Sequence, residues 1–492
     1  MNESNNERVV TRFAPSPTGF MHVGGVRTAL FAWLFARKNG GKFILRIEDT
    51  DKKREVEGSI EHIIKSLKWV GLDWDEGPDV GGPNGPYIQS QRSESHLKYA
   101  QILIDKGLAY ADPYTEEELE AFRKKAEIEK RPFLYRDHRP ENPPIWDGTK
   151  PLRFKVPEIK TYEWFDLVRG NLSAGPEALD DFVLIKSDGY PTYNFAHIVD
   201  DLDMGVTHIF RTDEFISSTP KYLSLYEALE IQRPHIAILP PIMGDDKKKK
   251  LGKRDGAKDA LDYKAEGYLP EALVNFLAFI GWNPGDEREI FTLAELVDAF
   301  SIDHIHKSGG TFNVEKLDWV NKEHIKRLNQ AEQFILVQQF MPESVTNLDN
   351  YNLNILEDFL PLITERIEKF SDVTTLGQAG EFDYFFEKPL YGKDQLFYGK
   401  TKFTGENKYE DLAGIIGETI EHLKNATHWK SESIKDSVFG YAQNVGVGDV
   451  LWPMRFALSG QEKSPDPFIL AEKLGHSETF ERLEAAKNLL LN

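Results

Sequence analysis

A chain of 492 residues, 40% of them hydrophobic, is long enough to form about three or four domains with real cores. It contains no cysteine, which excludes disulfides and thiolate zinc sites, and its longest apolar run, near Ala272 to Trp282, is about half a membrane span. A formal net charge of −20 argues on average against a polyanionic partner, because phosphate binding draws on Lys and Arg.

The first elements come as an unbroken series from Arg12 to Asp51: a turn-rich loop, a helix and a strand. Pro15, Ser16, Pro17, Thr18 and Gly19 force a sharp turn. His22-Val23-Gly24-Gly25 follows, and the glycines remove Cβ bulk where a helical pattern begins at Val26. Such a junction suits phosphate, since small residues allow close approach and a helix N-terminus offers free N–H groups. The helix is apolar at Ala29, Leu30, Trp33, Leu34 and Ala36 and meets a stop signal at Asn39-Gly40-Gly41. A strand from Phe43 to Ile47 then delivers Glu48 and Asp49 to its C-terminal end, the edge where open α/β sheets bind ligands.

Further along, a helix is expected from Glu55 to Val70, a Gly/Pro/Asp loop from Gly71 to Pro86, and another helix from Gln89. From 96 to 190 the pattern is irregular, with an acidic helix near Thr115 to Lys130, a proline-rich stretch from Arg131 to Pro151 and short strands such as Arg153 to Val156. Segments 182–186, 206–211 and 237–243 return to apolar strands, the last running into the lysines at 247–250. Amphipathic helices then prevail, including Ala272 to Ile280, Leu293 to Ala299, Glu323 to Gln339, Glu410 to Leu423 and Thr479 to Leu491. Two basic clusters run against the average charge: Arg123, Lys124, Lys125, Lys130, Arg131, Arg136 and Arg139, and then Lys247 to Lys250 with Lys253 and Arg254.

PSPTG with HVGG and RIEDTD resembles the first signature of class I glutamyl-tRNA synthetases, HVGG standing in the place of the HIGH motif. Lys250-Leu251-Gly252-Lys253-Arg254 resembles the KMSKS loop in its KLSKR form, with Gly252 where serine is usual. Asp188 to Tyr222 resembles the family's amino-acid-binding segment, and Leu451 to Pro465 its anticodon-domain signature. Four ordered matches cover nearly the whole chain.

The resemblance implies an α/β fold: a Rossmann-like nucleotide-binding catalytic domain (1–95 and 191–245) with an inserted α+β acceptor-binding domain (96–190). An all-α C-terminal half follows, with the KMSKS loop and stem-contact domain at 246–325 and a helical anticodon-binding domain at 326–492. It implies activation of L-glutamate by ATP with Mg²⁺, then transfer to the 3'-terminal adenosine of tRNA(Glu), by a cytoplasmic monomer that engages no membrane. Some relatives carry a cysteine-bound zinc in the inserted domain; without cysteine, no structural zinc is expected here.

By the same resemblance, His22, Lys250 and Lys253 are catalytic, His22 lying against the phosphates and the lysines on the departing ones. Thr18, Gly24, Gly25, Glu214, Leu251 and Arg254 join them in holding ATP. Arg12, Ala14, Ser16, Glu48, Tyr193, His197 and Arg211 form the glutamate pocket, with arginines for the carboxylates and Glu48 for the ammonium. His197 replaces asparagine or an apolar residue, and Phe215 replaces histidine or tryptophan. On the residues alone, Arg12 could instead pair with Asp49 or Asp51, and Arg211 with Asp213. Which arginine reads the substrate side chain stays open at this point. Arg455 is expected to contact tRNA, and Trp452, Tyr384 and Phe385 are candidates for stacking on anticodon bases.

Four rival readings share these motifs. A non-discriminating form would also charge tRNA(Gln), and a catalytically silent relative would only bind tRNA. A short paralogue that glutamylates an anticodon base lacks the C-terminal half, and a glutaminyl-tRNA synthetase should not end in a helical tail of bacterial type.

Overall fold

The computed structural model describes residues 8–244, 249–251 and 258–492. The chain divides into two compact units between Val320 and Asn321. The first begins with β1 (Val10–Phe13), α1 (Val23–Lys38) and β2 (Lys42–Leu45), and the two strands pair in parallel from Val10 opposite Lys42 to Phe13 opposite Leu45. Val26, Ala29, Leu30, Phe31 and Leu34 of α1 are all buried, because the helix packs on this sheet and on the helix Pro270–Phe279. A helix covered on both sides has no use for a polar face. Gly41, joining α1 to β2, lies so close to Val9 that a Cβ would meet its carbonyl oxygen at 2.3 Å.

The chain continues through α2 (Ser59–Trp69), α3 (Ser93–Asp105), β3 (Ala109–Ala111), α4 (Glu116–Ile128), β4 (Leu152–Phe154), β5 (Tyr162–Asp166) and β6 (Gly170–Ala174). β7 (Phe182–Ile185) and α5 (Tyr193–Asp203) follow, and the chain then returns to the sheet of β1 and β2 with β8 (His208–Thr212), α6 (Thr219–Leu229) and β9 (His235–Leu239). The main sheet has the order β2-β1-β8-β9-β5-β6, parallel except for the β5–β6 hairpin. Span 96–190 therefore contributes twice, once as this hairpin and once as the antiparallel sheet β3-β4-β7. The described residues from 321 onward form helices and turns without strands.

Several sequence expectations shift. The helix expected from Glu55 starts at Ser59, because Gly58 is left-handed (φ 77°) and the Val56 N–H donates to the Pro17 carbonyl. The helix expected over Glu323 to Gln339 is two, Val314–Arg327 and Gln330–Phe340, the second restarted by a capping box between Asn329 and Glu332. The helix expected at Thr479 begins at Pro467 and kinks at Gly475. In the basic cluster, Arg139 pairs with Asp181 and Arg136 donates to the Pro176 carbonyl, so these two arginines hold the fold. Tyr384 and Phe385 are buried, Phe385 stacking on Phe359 at 4.0 Å, and are core residues that no base reaches. Trp452 is half-buried and donates its indole N–H to the Gln395 carbonyl.

Candidate active site

From β1 the chain crosses to β2 on one side while β8 lies on the other, so the sheet reverses its strand order between β1 and β8. A cavity of about 410 Å³ opens at the carboxyl ends of these strands, the usual ligand position in such sheets. One end is lined by Arg12, Ala14, Ser16, Glu48, Tyr193 and Arg211. The other is lined by His22, Gly24 and Gly25 at the head of α1, with Glu214, Lys250 and Leu251.

The first end is a buried charge cluster. Arg12 donates from Nε to Asp201 Oδ1 at 3.0 Å, and Arg46 reaches the same oxygen at 2.8 Å. Arg46 also donates to Glu48 Oε1 at 2.9 Å. Burial alone would raise the Asp201 carboxyl, but Arg12 and Arg46 hold it far below the ordinary range. Burial wins at Glu48, whose carboxyl is raised even with both arginines beside it.

Arg211 differs from both arginines. It is 7% exposed, and its Nε and Nη2 have no hydrogen-bond acceptor among the described residues. Three rings surround it instead, with the centroids of Phe215, Tyr222 and Tyr193 at 5.0, 5.2 and 5.8 Å. A guanidinium does not shed its proton, so Arg211 is a buried cation without a carboxylate partner among the described residues. Asp200 also lies 3.8 Å from Arg46 but is matched by Arg92 at 2.7 Å, so the cluster sets the guanidinia of Arg12, Arg46 and Arg211 against the carboxylates of Glu48 and Asp201. One positive charge is left over, and a ligand carrying one net negative charge would cancel it.

At the other end, His22 caps α1, its Nδ1 accepting from the Gly24 N–H at 3.0 Å. A Cβ on Gly24 would stand 2.8 Å from the His22 ring, so glycine is what lets the imidazole lie over the helix start. The Met21 carbonyl accepts from the Ala260 N–H at 2.8 Å, tying this turn to the segment that follows the lysine loop. Lys250 holds Asp213 at 2.8 Å.

Over residues 8–319 the chain matches the catalytic-domain family of class I tRNA synthetases for glutamate and glutamine (E and Q), and over 326–487 an anticodon-binding-domain family. The chain belongs to the class I glutamyl- and glutaminyl-tRNA synthetase family. It is an enzyme, a ligase of the class I synthetases that use ATP as substrate. Among curated relatives, a glutamate–tRNA ligase of Clostridium botulinum strain Hall is 40% identical over 488 residues, covering 97% of each chain. Glutamate–tRNA ligase 1 of Syntrophomonas wolfei is 40% identical, covering 97% of this chain and 96% of its own. Among solved structures, a glutamate tRNA ligase from Elizabethkingia meningosepticum in complex with its amino acid matches at a TM-score of 0.83 and 33% identity. That match spans 98% of this chain and 100% of the other. The glutamate-tRNA synthetase of Elizabethkingia anophelis matches at 0.81 with the same identity and coverage.

Most residues read from the signatures of this synthetase family meet in the one cavity. Thr18 does not line it. His197 lies behind Arg211 rather than in the cavity, its Nδ1 bonded to the Tyr193 carbonyl at 2.6 Å and its ring kept neutral by burial. Gly252, Lys253 and Arg254 lie outside the described residues. Arg455 is half-buried on the helix Val447–Ser459 of the second unit.

The internal pairings considered for the arginines do not form. Asp49 accepts from Ser90 and Lys52, Asp51 from Arg54, and Asp213 from Lys250. Sequence reading missed Arg46, Asp201 and Tyr222, and took Asp213 as a partner for Arg211 where the structure pairs it with Lys250. A signal existed for Asp201, since Tyr193, His197 and Asp201 recur every four residues and so share one face of α5. Arg46, a charge at the end of an apolar strand, was a second signal.

Proposed function

We propose that this chain is a glutamate–tRNA ligase. A carboxylate oxygen of L-glutamate attacks the α-phosphorus of ATP and expels pyrophosphate. A ribose hydroxyl of the 3'-terminal adenosine of tRNA(Glu) then attacks the acyl carbon and releases AMP. Mg²⁺ enters with ATP as part of that substrate. The observation that carries this reading is Arg211, a buried cation whose Nε–Nη2 edge donates to no acceptor among the described residues and matches a carboxylate fork. Arg211 takes the side-chain carboxylate. Arg12, which among the described residues commits only its Nε, to Asp201, takes the other carboxylate, and Glu48 takes the ammonium. Glutamine would leave the extra positive charge uncancelled, a penalty sufficient for selection without editing.

At the ATP end, His22, Gly24 and Gly25 receive the nucleotide at the helix start, and Lys250 with Lys253 neutralises the leaving phosphates. Span 96–190 holds the acceptor end of tRNA, 246–325 its stem, and 326–492 with Arg455 its anticodon. The protein works as a cytoplasmic monomer, and no helix among the described residues is long and apolar enough to cross a membrane.

The test is aminoacylation with labelled glutamate, ATP and Mg²⁺ on pure tRNA(Glu) and pure tRNA(Gln). Charging of tRNA(Glu) that disappears in Lys250→Ala is the expected result. Charging of both tRNAs would mark a non-discriminating enzyme, and charging of neither would end the reading. Gly24→Ala is a second expected result. The new methyl pushes the His22 imidazole off its cap, lowering kcat/KM for ATP on the order of tenfold to hundredfold. Thermal stability should change little, because the better helix propensity of alanine offsets the lost cap bond. Unchanged ATP kinetics would remove His22 from the proposed chemistry.

A further inference from the structure

The groups that face the amino-acid end of the cavity are held by two residues that do not line it. Arg46 is fully buried on the chain just beyond β2, and Asp201 is buried two turns along α5 from Tyr193. One oxygen, Asp201 Oδ1, receives both Arg12 Nε at 3.0 Å and Arg46 Nη1 at 2.8 Å. The other arm of Arg46 grips Glu48 at 2.9 Å. The helix carrying Asp201 is itself fastened next door. Asp200 takes Arg92 at 2.7 Å, His96 at 2.9 Å and Gln89 at 2.7 Å, anchoring α5 to α3 and the turn before it.

We propose that Asp201 and Arg46 are the positioning pair of the amino-acid pocket, one carboxylate oxygen fixing both the cation that takes a substrate carboxylate and the anion that takes its ammonium. This inference rests on the reading of the cavity as a glutamate site. A buried ionic chain is a poor way to gain stability, since apolar residues of similar volume usually serve as well or better. It is, however, a good way to hold two long side chains in single orientations. Nε of Arg12 is engaged from behind, so the guanidinium cannot rotate and its other nitrogens stay turned away from Asp201. Glu48, by contrast, sits just past a strand end, and among the described residues the hydrogen bond to its carboxylate comes from Arg46. Arg46 and Asp201 act through Arg12 and Glu48 and touch no substrate.

The alternative role, simple counter-charge, predicts the opposite sign. Removing the negative charge of Asp201 would leave the pocket more positive and draw a net-anionic substrate more strongly. Loss of positioning should weaken glutamate binding instead.

The experiment compares full-length wild type, Asp201→Asn and Arg46→Lys in aminoacylation of tRNA(Glu), with KM for glutamate, ATP and tRNA measured separately alongside Tm. Asp201→Asn should raise KM for glutamate on the order of tenfold to hundredfold, the usual worth of a hydrogen bond to a charged group. KM for ATP and tRNA should stay within about twofold, since neither substrate is held by this chain of groups. Arg46→Lys keeps the charge but not the fork that spans Asp201 and Glu48, and should reproduce the glutamate-only effect. An unchanged or lowered KM for glutamate in Asp201→Asn would overturn the proposal in favour of counter-charge. A parallel loss in all three substrates with a lower Tm in both variants would overturn it in favour of a folding role. A wild type that does not charge glutamate at all would instead remove the reading beneath it.

Discussion

Arg211→Ala should lower kcat/KM for glutamate by roughly hundredfold to several-thousandfold, the equivalent of about 3 to 5 kcal/mol for removing one partner of a buried charge pair. The magnitude follows from what surrounds the residue. Three rings and no described acceptor at Nε or Nη2 mean that the substrate carboxylate is the counter-ion this cation lacks. Without the guanidinium the cluster has equal numbers of arginines and carboxylates and no reason to prefer an anionic substrate over a neutral one. The same variant should therefore lose most of its discrimination against glutamine, measured as the ratio of the two kcat/KM values. KM for tRNA should not move. A variant that keeps its preference for glutamate would show that Arg12 alone reads the side chain.

The charges at this site were more legible than their wiring. Arg12, Glu48 and Arg211 announce themselves by sitting at strand ends beside turn-rich loops, and α1 by its four-residue apolar spacing. Asp201 and Arg46 were hidden because a charge within an apolar pattern has no partner in one dimension, and theirs are 189 residues apart in the case of Arg12 and Asp201. The tertiary pairing that makes such a charge tolerable is what sequence periodicity does not carry. The late start of α2 has a similar origin. Residues after Glu55 have helical character, yet Val56 is claimed by the Pro17 carbonyl and Gly58 takes a left-handed turn, so a long-range hydrogen bond overrides local preference. In the helical half, the spacing of apolar residues located the helices. It did not separate buried aromatic residues from exposed ones, so Tyr384 and Phe385 read as possible base-stacking surfaces.

Those two aromatics bear on the second large effect, which lies outside the catalytic unit. Arg482 is 3% exposed and donates to the Tyr384 carbonyl at 2.9 Å, the Leu458 carbonyl at 2.6 Å and the Glu387 carbonyl at 3.2 Å, while its Nε holds Glu478 at 2.7 Å. Each carbonyl closes a helix end: Tyr384 and Glu387 belong to the short turn carrying the aromatic cluster, and Leu458 ends the helix that bears Arg455. Carbonyls at helix C-termini have no partner within their helix, so one guanidinium satisfies three groups that burial would otherwise strand. Arg482→Leu fills much of the volume but offers no donor, and should destabilise the helical unit by about 3 to 5 kcal/mol. For a unit of this size that is a fall in its melting temperature of roughly 6 to 20 °C, read by calorimetry on the full chain. Arg482→Lys can satisfy at most part of the set from a single point and should fall between. If the leucine variant melted within about 2 °C of wild type, water must replace the guanidinium at all three carbonyls, and Arg482 would owe its place to Glu478 alone. The expected loss would instead show that the aromatic turn and the Arg455 helix are held in register by one side chain, which ties the shape of the tRNA-facing half to a residue remote from any signature.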